Sequence, residues 1–122
     1  MTTQQVADRY YELAQTGQNE QIINELYSPD IVSIEPENDS NVPLRVEGTK
    51  AYKEKEKIFF ELVDEFHSGF CKAPIVSTFH FACAMGMDVT IKGSRKLKEE
   101  IGVFEVRDGK IVAEQFFYDD FH

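Results

Sequence analysis

Between Thr3 and Gln15 the apolar residues Val6, Tyr10 and Leu13 recur at helical spacing, and Ala7, Tyr11 and Ala14 widen the stripe. Thr2 or Thr3 supplies an N-cap and Gly17 a stop, so the pattern predicts a first helix over 3–15. A shorter helix over about 19–27 buries Ile22, Ile23, Leu26 and Tyr27 and ends at Ser28-Pro29-Asp30, since proline disfavours helix in the residue before it. Ile31-Val32-Ser33-Ile34-Glu35 is β-branched and reads as a strand stopped by Pro36. Residues 37–44 are polar and turn-rich, a loop, and Arg45-Val46-Glu47 is a short strand before Gly48. Thr49 caps a longer helix to about Phe66, with Tyr52, Ile58, Phe59, Leu62, Val63 and Phe66 on one face and Lys53 to Lys57 as a solvated charged face.

After Gly69 the period changes to two. Phe79, Phe81, Cys83, Met85, Met87, Val89 and Ile91 alternate with His80, Ala82, Ala84, Gly86, Asp88, Thr90 and Lys92, the clearest strand of the chain. Further strands are expected over 71–77, 97–106 and 110–121, with Asp108-Gly109 as the hairpin turn between the last two. Helix, helix, strand, helix and then four antiparallel strands make an α+β domain, a curved sheet packed on helices.

The length, 122 residues, predicts one domain over 1–122, and a composition 42% hydrophobic with 10 Phe and 5 Tyr supplies a core. A formal charge of −9 disfavours phosphate backbones and so nucleic acid. No apolar run reaches the ~20 residues of a membrane span, and Met1 to Gln5 carry no secretory signal, so a cytoplasmic protein without membrane contact is expected. Cys71 and Cys83 fit no zinc spacing, and His67, His80 and His122 no metal-binding spacing, so no metal is expected. Gly86, Gly93 and Gly102 form no phosphate cradle, so no cofactor is expected.

The run Tyr-Ser-Pro-Asp-Ile-Val-Ser-Ile-Glu-Pro at 27–36 and the closing Val-Phe-Glu-Val-Arg-Asp-Gly-Lys-Ile-Val-Ala-Glu at 103–114 resemble the nuclear transport factor 2-like superfamily. Within it the chain is most similar to the SnoaL-like polyketide cyclases and the ketosteroid isomerases, over nearly its whole length. The resemblance implies a single SnoaL-like domain over 1–122, a cone in which a strongly bent antiparallel sheet wraps three N-terminal helices. It also implies an apolar interior pocket and a homodimer through the outer sheet face, where Ala82, Ala84 and Gly86 allow close approach. Its members include enzymes, binding proteins and assembly factors, so the fold does not fix the function.

Glu35, an acid-Pro step at a strand end, falls where the isomerase-like members carry their general base, with Asp in place of Glu. A carboxylate in an apolar cavity, its pKa raised by desolvation, suits proton abstraction beside a carbonyl; the other reading is a strand end facing water. Tyr10, in Asp-Arg-Tyr, falls on the isomerases' oxyanion donor, and is otherwise a core residue on the stripe of Val6 and Leu13. The second donor of that family falls at Gly102, which has no side chain. Glu114 shares a strand face with Val112, Phe116 and Tyr118; one register turns it inward as an acid facing Glu35, the opposite register puts it on the surface. His67, at the end of the long helix, and His80 are further acid-base candidates. Phe59, Phe104, Phe116 and Tyr118 are expected to line the pocket with Tyr10. Two functions remain: a cofactor-free isomerase, cyclase or hydratase acting on an apolar carbonyl compound by proton transfer at Glu35, or a non-catalytic ligand-binding or dimerisation module. An anionic domain for a protein partner is a third, without a motif behind it.

Overall fold

The computed structural model describes residues 1–37 and 42–119, so residues 38–41 of the expected loop and 120–121 of the last expected strand lie outside it. Helix α1 (Thr3–Gln15) opens on a reciprocal cap: the Gln5 N–H donates to the Thr2 hydroxyl (3.1 Å) and the Thr2 N–H to the Gln5 side chain (2.8 Å). Then come α2 (Asn19–Leu26), β1 (Tyr27–Ile34), β2 (Arg45–Glu47), α3 (Thr49–Leu62), β3 (Val63–Cys71), β4 (Ile75–Val76), β5 (His80–Ile91), β6 (Ser94–Arg107) and β7 (Lys110–Phe117). The strands lie in the order β2-β1-β7-β6-β5-β3, with β4 on β5. Pairing is antiparallel except between β1 and β7, which run parallel. Three helices on a curved α+β sheet are the architecture expected.

Several boundaries differ from the sequence reading. The helix expected to reach Phe66 stops at Leu62, because Val63 and Phe66 pair with Ile91 and Val89 of β5 and sheet pairing takes over this aromatic, β-branched stretch. The strand expected over 71–77 shrinks to Ile75–Val76. Gly48, at φ 87°, is the N-cap of α3 in place of Thr49. Strand β1 begins at Tyr27, through Pro29. Asp108-Gly109 and also Lys92-Gly93 make tight turns with both residues in the left-handed region, which fits the twist of the strands they join.

The inner sheet face and the helices share one core. Phe81 and Phe104 stack at 4.6 Å and 13°, and Tyr10 of α1 sits 4.7 Å from Phe104. Phe116 meets Phe104 edge-on at 6.2 Å, so β6 and β7 turn these rings to the same side. A bulge breaks the parity of β7: Val106 pairs with Ile111 and Glu105 with Ala113, so Ile111 and Glu114 are both buried although they are three residues apart. No helix among the described residues is long and apolar enough to cross a membrane.

Phe104 is fully buried at the centre of this cluster. Phe104→Ala should lower stability by about 3–5 kcal/mol, read from the urea midpoint. An unchanged midpoint would show that the sheet does not need this ring.

Candidate functional site

A cavity of about 170 Å³ lies between the helices and the inner sheet face. Its apolar wall is built by Tyr10, Ile22, Ile23, Tyr52, Phe59, Met85, Met87 and Phe116. Glu35, Lys55, Glu56, Lys98 and Glu100 also line it, which makes one part strongly charged.

Local structure explains how each polar group arrives there. Glu35 follows the end of β1, where its N–H donates to the Leu44 carbonyl at 2.7 Å. Lys55 lies three residues after Tyr52 and four before Phe59, so the helical repeat turns it inward, and it is 5% exposed. Lys98 and Glu100 share the parity of Gly102 and Phe104 on β6 and therefore face the cone interior. The Lys55 ammonium donates to the Ser33 hydroxyl at 2.7 Å, which in turn donates to Glu114 Oε2 at 2.8 Å. The Tyr27 hydroxyl donates to the other oxygen of Glu114. Lys55 Nζ stands 3.8 Å from Glu35 Oε1, an ion pair longer than a hydrogen bond, and Lys98 Nζ stands 3.2 Å from Glu100 Oε2.

Burial raises the Glu35 carboxyl above its ordinary range; Lys55 and Lys98 oppose the shift and Glu100 adds to it. Burial likewise pushes Glu114 up to about 7, against Lys55 and the hydrogen bonds from Tyr27 and Ser33. Tyr10 is raised well above the usual phenol value, first by burial and then by the charge of Glu114. It therefore stays a neutral hydrogen-bond donor across the physiological range.

The candidate residues do not all meet at the cavity. Glu35, Tyr10, Phe59 and Phe116 line it. Phe104, expected in the lining, is sealed between Tyr10, Phe81 and Phe116 because its ring is taken up by the core stack. Tyr118, also expected there, lies beyond the end of β7 with its ring 4.4 Å from Lys98 Nζ, and does not line the cavity. Glu114 points into the cone, but its bonds to Tyr27 and Ser33 hold it behind the lining. His67 sits on β3 against Thr90 (2.8 Å), not at a helix end, and His80 is exposed near Glu105. Neither histidine lines the cavity.

A Cβ at Gly102 would come within 3.0 Å of the Phe104 ring and 3.1 Å of Phe116, so rings fill the place of the missing donor. The polar groups of β6 sit two and four residues earlier, at Glu100 and Lys98. Sequence reasoning passed over both, and it assigned Lys55 to the solvated face. The signals were present: Lys55 lies on the stripe of Tyr52 and Phe59, and Lys98 and Glu100 share the parity of Phe104.

A family described as the SnoaL-like domain matches residues 1–118. The fold is similar to a Mesorhizobium loti structure described as a SnoaL-like polyketide cyclase, at 30% identity and TM-score 0.89, covering 97% of this chain and 100% of that one. It is also similar to a Xanthomonas campestris protein with a cystatin-like fold, at 20% identity and TM-score 0.81 over 98% and 92% of the two chains. A nuclear transport factor 2-like protein of Burkholderia pseudomallei matches at 16% identity and TM-score 0.77 over 96% and 90%. Among curated proteins none matches the sequence.

The raised carboxyls set a pH dependence of stability. Glu114 ordinarily titrates near 4.5, so between about 4.5 and 7 the folded chain holds a proton that the unfolded chain has released. The stabilisation is complete below that window and is lost as pH rises through about 7, on the order of 3 kcal/mol from this group. Glu35 and Glu56 are raised in the same direction. Thermal unfolding from pH 5 to 8 should show a falling Tm in the wild type and a flatter profile in Glu114→Gln. Parallel profiles would place the titration elsewhere.

Proposed function

This chain belongs to the SnoaL-like domain family, and we propose that it binds a small carbonyl compound in its cavity and moves a proton on it, as an isomerase or cyclase does. One observation carries the reading: Glu35 Oε2 is buried at an apolar-walled cavity and accepts no hydrogen bond among the described residues. A carboxylate oxygen with unspent lone pairs and a raised pKa is suited to take a proton from carbon. Tyr10 is the neutral donor for the oxygen on which charge develops, and Lys55 places a cation beside the base. Glu114 is a positioning residue: it holds the Ser33 hydroxyl, and Ser33 holds the Lys55 ammonium next to Glu35.

Non-catalytic binding by the same cavity is the second reading. It is favoured by Lys55 and Lys98, which oppose the rise in the Glu35 pKa and so weaken it as a base. Hydrogen–deuterium exchange at the α-carbon of a panel of cyclic ketones and 1,3-diketones separates the two. Catalysis requires exchange above the buffer rate, falling by roughly 10²–10⁴-fold in Glu35→Gln. Exchange unchanged in that variant, or none with any of the panel, leaves the binding reading. A phenolate that mimics an enolate should bind at least about tenfold more weakly to Tyr10→Phe; equal affinity would make Tyr10 a core residue only.

We also propose a homodimer through the outer sheet face. Ala84 pairs with Ile101 and Ile101 with Phe117, and Phe70 lies opposite Gly86. Phe70, Ile101 and Phe117 are 40%, 51% and 49% exposed, an apolar row of self-complementary character across four strands. Light scattering should give twice 14.0 kDa, and Ile101→Lys should shift it to the monomer mass. A monomer in the wild type overturns this assignment.

A further inference from the structure

The charged part of the cavity carries hydrogen-bonding capacity that the fold does not use. Glu100, its side chain 9% exposed, is ion-paired through Oε2 to the Lys98 ammonium at 3.2 Å, yet this oxygen accepts no well-directed hydrogen bond among the described residues. Glu35 Oε2 is in the same condition, and its side chain is 11% exposed. Glu100 raises the cost of charge on Glu35, Lys98 lowers it, and Lys98 also stands against Glu100, so the two carboxylates belong to one polar patch. A buried carboxylate oxygen without a donor is costly, and a ligand that supplies the donor recovers that free energy.

The lining also restricts the ligand's charge. An anion would meet Glu35 and Glu100, and a cation would meet Lys55 and Lys98. A neutral hydroxyl suits both kinds of neighbour, since its O–H donates to a carboxylate while its lone pairs accept from an ammonium. Beside the patch the wall is apolar: Met85 and Met87 pair with Glu100 and Lys98 across the strands, and the Phe59 and Phe116 rings lie 5.2 Å from Lys98 Nζ and 5.7 Å from Lys55 Nζ. At about 170 Å³ the space is that of a single ring, close to the ~150 Å³ cavity that takes up benzene.

We propose that the cavity takes a neutral one-ring compound with two hydroxyl groups on one edge, one donating to Glu35 Oε2 and the other to Glu100 Oε2. Glu100 is then a specificity-determining residue of this site. The inference uses the cavity assigned above as the binding site but does not depend on proton transfer.

Calorimetric titration tests it with catechol and 1,2-difluorobenzene, which share a ring and differ in their donors. Wild type should bind catechol at least about tenfold more tightly than the difluoro compound. Glu100→Gln should lose most of that preference, with 1,2-difluorobenzene affinity changed by less than about twofold. Equal affinities in the wild type, no binding of either compound, or a preference intact in a folded Glu100→Gln would each overturn the proposal. If that variant does not fold, the wild-type comparison decides, with Glu35→Gln as the second variant. A catechol preference without α-carbon exchange on ketones supports this ligand class and removes catalysis; exchange without the preference does the reverse.

Discussion

Phe104 is the residue on which the geometry of this protein turns. It stacks on Phe81, meets Tyr10 at 4.7 Å and Phe116 edge-on, and joins α1 to three strands in one contact cluster. Because strand side chains alternate, fixing Phe104 inward also fixes Lys98, Glu100 and Gly102 inward along β6. The same register pairs Phe104 with Glu114 and Gly102 with Phe116 on β7. A one-residue slip would turn the charged lining out to water and the exposed row into the core. The hydrophobic demand of the aromatic stack and the placement of the polar site are therefore one constraint.

The second feature is how much charge the cone encloses. Lys55, Lys98 and Glu114 are all below 10% exposed, an arrangement that costs free energy unless each charge finds partners. The chain Lys55–Ser33–Glu114–Tyr27 is bonded throughout. Among the described residues, Glu35 Oε2 and Glu100 Oε2 accept no hydrogen bond at the cavity. Bonded groups behind the wall and open acceptors in it separate a supporting network from the lining of the cavity. Gly102 contributes to this division, since its missing side chain makes room for the Phe104 and Phe116 rings.

Much of this was legible in the sequence for simple reasons. The 3.6-residue stripe of α1, the strict alternation of β5 and the Asp108-Gly109 turn are local patterns, and each gave its element with close boundaries. Glu35 was readable as a strand end before proline. The fold class followed from the segregation of helices and strands. What failed also had local causes: Val63 to Phe66 continue a helical stripe and yet carry strand-forming residues, and only pairing with β5 decided between them.

The site itself depended on tertiary structure. A lysine in the run Lys53 to Lys57 is most simply read as solvated, and only the packing of α3 on the sheet shows that Lys55 is enclosed. Phe104 and Phe116 look alike as apolar strand residues, but one is sealed in the stack and the other reaches the cavity, a distinction set by ring packing. The inward turn of Glu114 relative to Ile111 comes from a bulge that no alternation pattern announces. Sequence alone determined the stripe of α1, the alternation of β5 and the closing hairpin, because those depend on neighbours three, four or two residues away. Which charges meet, and which oxygens keep an open acceptor among the described residues, was decided by contacts between residues as distant in the chain as Ser33 and Glu114, where only the folded cone brings them together.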